Sequence, residues 1–181
     1  TNFTFTVTRT STATAETIDF TIADGTATSA DNDYDGSSPS GTLNFAIGDN
    51  SETITVVVNG DMKVELNETF FVNLSNVSNG SIPDAQGLGT VNNDDQATIT
   101  VNSLSKTEGD AGSQNYDFTV TLDKAIDVPI SVDITTSNIL ATSGSGDFDA
   151  NSTTLNFAGT TAGETKTFTV VVNGDMIVEP D

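Results

Sequence analysis

Ile54-Thr55-Val56-Val57-Val58-Asn59-Gly60-Asp61-Met62 carries both features that decide the fold. Its first half is short, β-branched and broken by Thr, which is the composition of a strand and too short an apolar run to span a bilayer. Its second half is repeated, because Asn59-Gly60-Asp61-Met62 returns as Asn173-Gly174-Asp175-Met176. Ala27-Thr28-Ser29 returns as Ala141-Thr142-Ser143, and Asp33-Tyr34-Asp35 as Asp147-Phe148-Asp149, at the same offset of 114 positions. Thr42-Leu43-Asn44-Phe45 recurs as Thr154-Leu155-Asn156-Phe157 at an offset of 112, so two residues are lost in one connection and regained in the next. Surface loops vary in length in this way. A period above a hundred residues points to tandem domains, since solenoid turns repeat every 20–50 residues or so.

Within each copy the apolar period is two. Phe3, Phe5 and Val7 alternate with Thr, as do Ile18, Phe20 and Ile22 with their neighbours, and Tyr116, Phe118 and Val120 repeat the pattern. Val128, Ile130, Val132 and Ile134 do the same. Such alternation buries one face of each strand and leaves the other in solvent. Turn clusters such as Asp24-Gly25, Gly36-Ser37-Ser38-Pro39 and Gly144-Ser145-Gly146 separate the runs. No segment sustains a helical period, so the fold class is all-β: tandem antiparallel sandwiches of immunoglobulin-like type. The adjacent Phe70 and Phe71 must point one into the core and one out of it.

The first domain is assigned to 1–95 and the second to 96–181. Strand runs are expected near 3–8, 17–23, 42–46, 52–58, 69–75 and 88–92 in the first copy. In the second they are expected near 97–103, 115–122, 128–134, 153–157 and 165–173. The first copy shows no counterpart of 97–103, and the second none of Thr69–Leu74 or the strand after it, so both domains read as incomplete. Thr1 begins in mid-pattern, and the chain reads as part of something larger. An open sandwich exposes strand edges, and neighbouring repeats or adjacent subunits in a fibre are the partners that would cover them.

Among 181 residues, 26 are Asp or Glu and 5 are Lys or Arg, a formal charge of −21. No basic patch exists to displace counterions from phosphates, so nucleic acid is excluded as a partner, and anionic membrane is disfavoured. His, Cys and Trp are absent. Disulfides, thiol chemistry and Ser–His catalysis are therefore excluded. Paired carboxylates can hydrolyse glycosides, but a catalytic centre is seldom repeated in tandem, and the chain does not read as an enzyme. With no Trp and two Tyr it offers little aromatic platform for a carbohydrate, leaving a cell-surface or matrix ligand as the alternative adhesive role.

The acidic residues recur in groups at strand ends. Asp31, Asp33 and Asp35 are matched by Asp147 and Asp149; Asp61, Glu65 and Glu68 by Asp175, Glu179 and Asp181. Asn92-Asn93-Asp94-Asp95 lies between the copies, and Glu108-Gly109-Asp110 follows the first strand of the second. Asp and Asn favour turns on their own account, but turn propensity does not require a Glu four residues past the Asp. Carboxylates gathered without Lys or Arg beside them repel unless a cation sits among them. Calcium takes six to eight oxygen ligands.

Asp24-Gly25-Thr26-Ala27, Asp33-Tyr34, Gly41-Thr42-Leu43-Asn44-Phe45, Glu52-Thr53, then Asp61-x-x-x-Glu65-x-x-Glu68-x-Phe70-x-Val72-x-Leu74-Ser75-Asn76 and Asn93-Asp94-Asp95 together resemble a Calx-beta domain. The resemblance covers most of one domain and the front of the next. It implies a seven-stranded immunoglobulin-like sandwich with calcium held by loops at one end. A first site would use Asp33, Asp61, Glu65, Glu68, Asp94 and Asp95 with a backbone carbonyl near Lys63. A second would use Glu108, Asp147, Asp175, Glu179 and Asp181. The chain departs from the family where Gly60 and Gly174 replace an Asp common in calcium-sensing members, where Lys63 interrupts the ligand run, and where Asn93 replaces a carboxylate. Fewer charges imply one or two weak ions, with dissociation constants on the order of 10⁻⁴–10⁻³ M. Cadherin-like repeats also hold calcium beside Asx-rich linkers, but their acidic spacing fits these blocks less well. The combined expectation is a calcium-binding structural repeat of an extracellular adhesin, matrix or filament protein, with calcium stiffening the junctions.

Overall fold

The computed structural model describes residues 1–176, and every regular element among them is a β-strand. The chain divides into two compact units, Thr1–Asp61 with Leu66–Asn93, and Met62–Glu65 with the chain from Asp94 onward.

The first unit contains β1 (Asn2–Thr8), β2 (Glu16–Asp24), β3 (Ser40–Phe45), β4 (Ser51–Val57), β5 (Glu68–Ser75) and β6 (Gln86–Val91). β1 pairs with β4 in one antiparallel sheet, and a second runs in the order β3-β2-β5-β6. Alternation decides which face is covered. Along β4, Ile54 and Val56 are buried while Thr53, Thr55 and Val57 are exposed. The inward faces of both sheets meet in a core of Ile18, Ala27, Tyr34, Leu43, Phe45, Ile54, Val56, Val58, Phe70 and Val72. Phe70 lies at its centre with none of its surface exposed, and the adjacent Phe71 is only partly covered. Around the Phe70 ring stand Phe3 at 5.6 Å and Phe5 at 5.9 Å, both edge-on, and Tyr34 at 5.3 Å. Gly89 lies opposite Phe70 in the β5–β6 ladder, and a Cβ there would collide with the ring. A glycine at this place lets the ring lie flat against the neighbouring strand.

The second unit contains β7 (Ile99–Val101), β8 (Gly112–Leu122), β9 (Ile130–Thr135), β10 (Ser152–Phe157) and β11 (Glu164–Gly174). Its sheets run β11-β8-β7 and β10-β9, all antiparallel. The registers reproduce those of the first unit: Val132 lies opposite Leu155 as Ile18 lies opposite Leu43. Its core cluster is smaller, formed by Val120, Leu122, Ile126, Leu155 and Phe157. Phe168 and Val170 are also buried but stand outside that cluster. Val64 bridges Ile126 in parallel; its N–H donates to the Ala125 carbonyl at 2.9 Å, and its carbonyl accepts from the Asp127 N–H at 3.0 Å.

The two copies repeat one loop almost atom for atom. The Thr28 N–H donates to Asp33 Oδ2 at 2.6 Å, and the Thr142 N–H to Asp147 Oδ2 at 2.7 Å. The Asn59 N–H reaches the Asp33 carbonyl, and the Asn173 N–H the Asp147 carbonyl, each at 2.9 Å. Asn32, at φ 68°, holds the left-handed position that Gly146 fills in the other copy at φ 96°. One contact differs. The Tyr34 hydroxyl donates to Asp24 Oδ1, whereas the second copy has Phe148 and Asn138 at the matching positions. Donor and charged acceptor are thus absent together, which avoids stranding either one.

Burial first, and then the hydrogen bond to the Asp24 carboxylate, push the Tyr34 phenol up to about 12. An unfolded tyrosine titrates near pH 10. A raised folded value means that this contribution is fully present below about pH 10 and is lost as the pH rises through about 12. Urea unfolding from about pH 9 upward should therefore show a steeper loss of stability in the wild type than in Tyr34→Phe. Parallel loss in the two proteins would show that the phenol does not carry it.

Candidate metal centre

The candidate site is built on the connection between β2 and β3 and on the chain leading into β5. Asp33 is the better defined of its carboxylates. Its own backbone N–H donates to the Thr28 carbonyl at 3.1 Å while its Oδ2 accepts from the Thr28 N–H, closing a tight local ring. The loop is tied to the end of β4 by the Asn59 side chain, which donates to the Asn32 carbonyl at 3.0 Å, and by the Asp35 N–H, which reaches the Val57 carbonyl at 2.8 Å. The Tyr34 hydroxyl, and after it the Ser29 amide, hold Asp24 below the usual carboxylate range at the base of the same loop.

Asp33, Glu65 and Glu68 each place one carboxylate oxygen within 4.8 Å of the other two, and all three residues are half-buried. Like charges at that spacing repel by roughly 3 kcal/mol per pair at an effective dielectric constant of about 20. The donor set is oxygen only. Hard oxygen donors suit calcium or magnesium and discriminate against zinc and copper, which favour imidazole and thiolate. Three carboxylates supply up to six oxygens, which fits the flexible coordination of calcium better than the strict octahedron of a largely hydrated magnesium ion. Asp33, Glu65 and Glu68 are the residues that would hold the ion.

The remaining sequence-derived ligands are dispersed. Asp61 and Asp94 are exposed, and Asp95 is half-buried. None of the three belongs to the close carboxylate group, the single such group among the described residues. In the second unit Glu108 and Asp147 are half-buried and Asp175 is exposed, without forming a comparable group. Glu179 and Asp181 lie outside the described residues.

The expectation that these acidic groups stand without basic neighbours is corrected by two lysines. Lys63 Nζ lies 3.0 Å from Glu65 Oε1 and also ion-pairs with Asp127. Lys124 Nζ lies 2.6 Å from Asp95 Oδ1. Hydrogen bonds to Asp127 and then Glu65 push the Lys63 ammonium well above the usual lysine range, and the Asp95 hydrogen bond raises Lys124. In a chain with 5 basic residues, each lysine is drawn to the nearest carboxylate pair. Sequence reasoning placed Lys63 in the ligand run but missed Lys124 and Asp127, since their partners lie far along the chain. Scarcity was the available signal: a lone lysine in so acidic a sequence has to be accounted for.

The Calx-beta domain model matches residues 1–105 and again 92–181. Comparison with curated proteins returns no match. Among solved structures, the crystal structure of CBD12 from CALX1.2 is similar at 23% identity and a TM-score of 0.47, over 94% of this chain and 68% of that one. The crystal structure of the calcium binding domain CBD12 of CALX1.1 is similar at 19% identity and a TM-score of 0.48, over 96% of this chain and 72% of that one.

The two glycines that follow Asn59 and Asn173 differ in their surroundings. A Cβ on Gly60 meets no atom within 4 Å, whereas one on Gly174 would lie 2.5 Å from the Gly109 carbonyl oxygen and 2.8 Å from that of Glu108. Gly60→Asp should therefore fold with its melting temperature unchanged in EGTA and bind a divalent cation several-fold more tightly. Gly174→Asp should lose stability, on the order of 1–3 kcal/mol for overpacking against backbone. Thermal melts with and without cation check both outcomes.

Proposed function

The chain belongs to the Calx-beta family, and we propose that it works as a calcium-binding structural repeat of an extracellular adhesin, matrix or filament protein. The observation that carries the calcium part is the convergence of Asp33, Glu65 and Glu68 on one point. A bound divalent cation turns their mutual repulsion into attraction, and so stabilises the loop that the Thr28–Asp33 ring already shapes. The surface setting is supported by a formal charge of −21, by tandem repetition and by the scarcity of lysine. Millimolar calcium outside cells suits sites of few charges, which bind at about 10⁻⁴–10⁻³ M. Asp94 and Asp95 fall where one sequence repeat passes into the next, and calcium there is proposed to stiffen the junction. The partners proposed are neighbouring repeats or adjacent subunits of a fibre.

A second reading has its own observation. Lys63 on Glu65 and Lys124 on Asp95 neutralise two of the proposed ligands without any metal, as a metal-free spacer would require. The two readings differ in what calcium does to stability. A ligand at 100 times its dissociation constant adds about 2.7 kcal/mol.

For the calcium reading, the melting temperature should rise in millimolar calcium and fall back on addition of EGTA. Glu68→Gln should abolish most of that rise. Lys63→Met, which removes the competing ammonium, should tighten binding several-fold in calorimetric titration. A wild-type melt that is identical in calcium and in EGTA would instead establish the metal-free spacer.

A further inference from the structure

The second unit contains a cavity of about 340 Å³ lined by Tyr116, Phe118, Phe148, Phe168, Val170 and Val172. By the internal repeat these are the counterparts of Phe3, Phe5, Tyr34, Ile54, Val56 and Val58. In the first unit Phe3, Phe5 and Tyr34 surround the ring of Phe70. The cavity is therefore the place where the second unit would seat a ring equivalent to Phe70. Coverage reflects the difference: Tyr34 is 3% exposed, whereas Phe148 is half-buried.

A second observation coincides with it. β2 is paired on both sides, with β3 and with β5. Its counterpart β9 pairs with β10 in the matching register, and its other edge has no ladder partner among the described strands. Thr135, Thr136 and Ser137, which continue along that edge, line the same cavity. An open row of backbone donors and acceptors beside an aromatic socket is the layout that accepts an added strand: the backbone supplies affinity and alternate side chains fill pockets.

We propose that the second unit is an acceptor for β-strand addition, taking an extended strand with the chemistry of Phe70-Phe71-Val72-Asn73-Leu74 antiparallel to β9. The register follows from the first unit, where Phe70 lies opposite Asp24, Val72 opposite Ile22 and Leu74 opposite Phe20. The donor phenylalanine thus lies opposite Asn138, its valine opposite Thr136 and its leucine opposite Ile134. The occupant is a separate strand and not β5 of another copy, because β5 is paired on both sides and Phe70 is wholly buried in its own core. The proposal is independent of metal binding.

A blocked synthetic peptide with the sequence Asn67–Ser75, titrated calorimetrically into the intact chain in EGTA, tests it. One peptide should bind per chain and raise the melting temperature. Alanine in place of the Phe70 residue of the peptide should weaken binding at least tenfold, as expected for a buried aromatic anchor, while alanine in place of Phe71 should change it less than threefold. On the protein, Ala141→Phe places a ring at an exposed position of the cavity lining, and should abolish binding with the far-ultraviolet circular dichroism unchanged. Absence of binding at millimolar peptide would overturn the proposal. So would equal affinity for the peptide lacking the Phe70 ring, or chain self-association that the peptide does not reverse.

Discussion

The first unit depends on one side chain reaching across the space between two sheets. Phe70, carried by β5, packs against Phe3 and Phe5 of the opposite sheet and against Tyr34 of the β2–β3 connection. Edge-on aromatic pairs are worth about 0.5–1.5 kcal/mol each beyond the area they bury. The geometry matters as much as the energy. Seating the ring forces a glycine on β6, closes the core over Tyr34, and so brings the Tyr34 hydroxyl onto Asp24. The Asp33 loop is then held from both ends. Core packing and loop geometry are here a single constraint.

The second unit shows which parts of that constraint are local. Its loop around Asp147 keeps the same hydrogen bonds and the same left-handed residue, although no ring equivalent to Phe70 fills the space beneath it among the described residues. Turn chemistry alone therefore shapes the loop. Core closure is not local, and with the same aromatic wall the second unit has a cavity where the first has a side chain.

Electrostatics acts on this frame as a perturbation that sequence distance hides. A charge of −21 on a small protein opposes compaction. The few cations are spent where carboxylates crowd: Lys63 between Glu65 and Asp127, Lys124 on Asp95, Arg9 beside Glu16 and Lys166 on Glu164. Asp33 and Glu68 stay close to Glu65 all the same, so one lysine does not discharge the group. That residual crowding is what an oxygen-seeking cation would relieve.

The all-β class, the tandem organisation and the strand positions were legible in the sequence, because period-two alternation and repeated blocks are local properties of the chain. So was the inward Phe70 beside its outward neighbour Phe71. The convergence of Asp33 with Glu65 and Glu68 could be suggested only by resemblance, since proximity in space between loops depends on how two sheets stack. Lys63 was visible as an interruption of the ligand run, but its pairing with Asp127 and that of Lys124 with Asp95 were not. Ion pairs form between side chains that packing brings within a few ångströms, and no spacing rule encodes them. Strand edges and cavities belong to the same class. The residues lining the socket in the second unit are written plainly in the sequence, yet that they enclose a space beside an open edge of β9 was decided only by the tertiary structure.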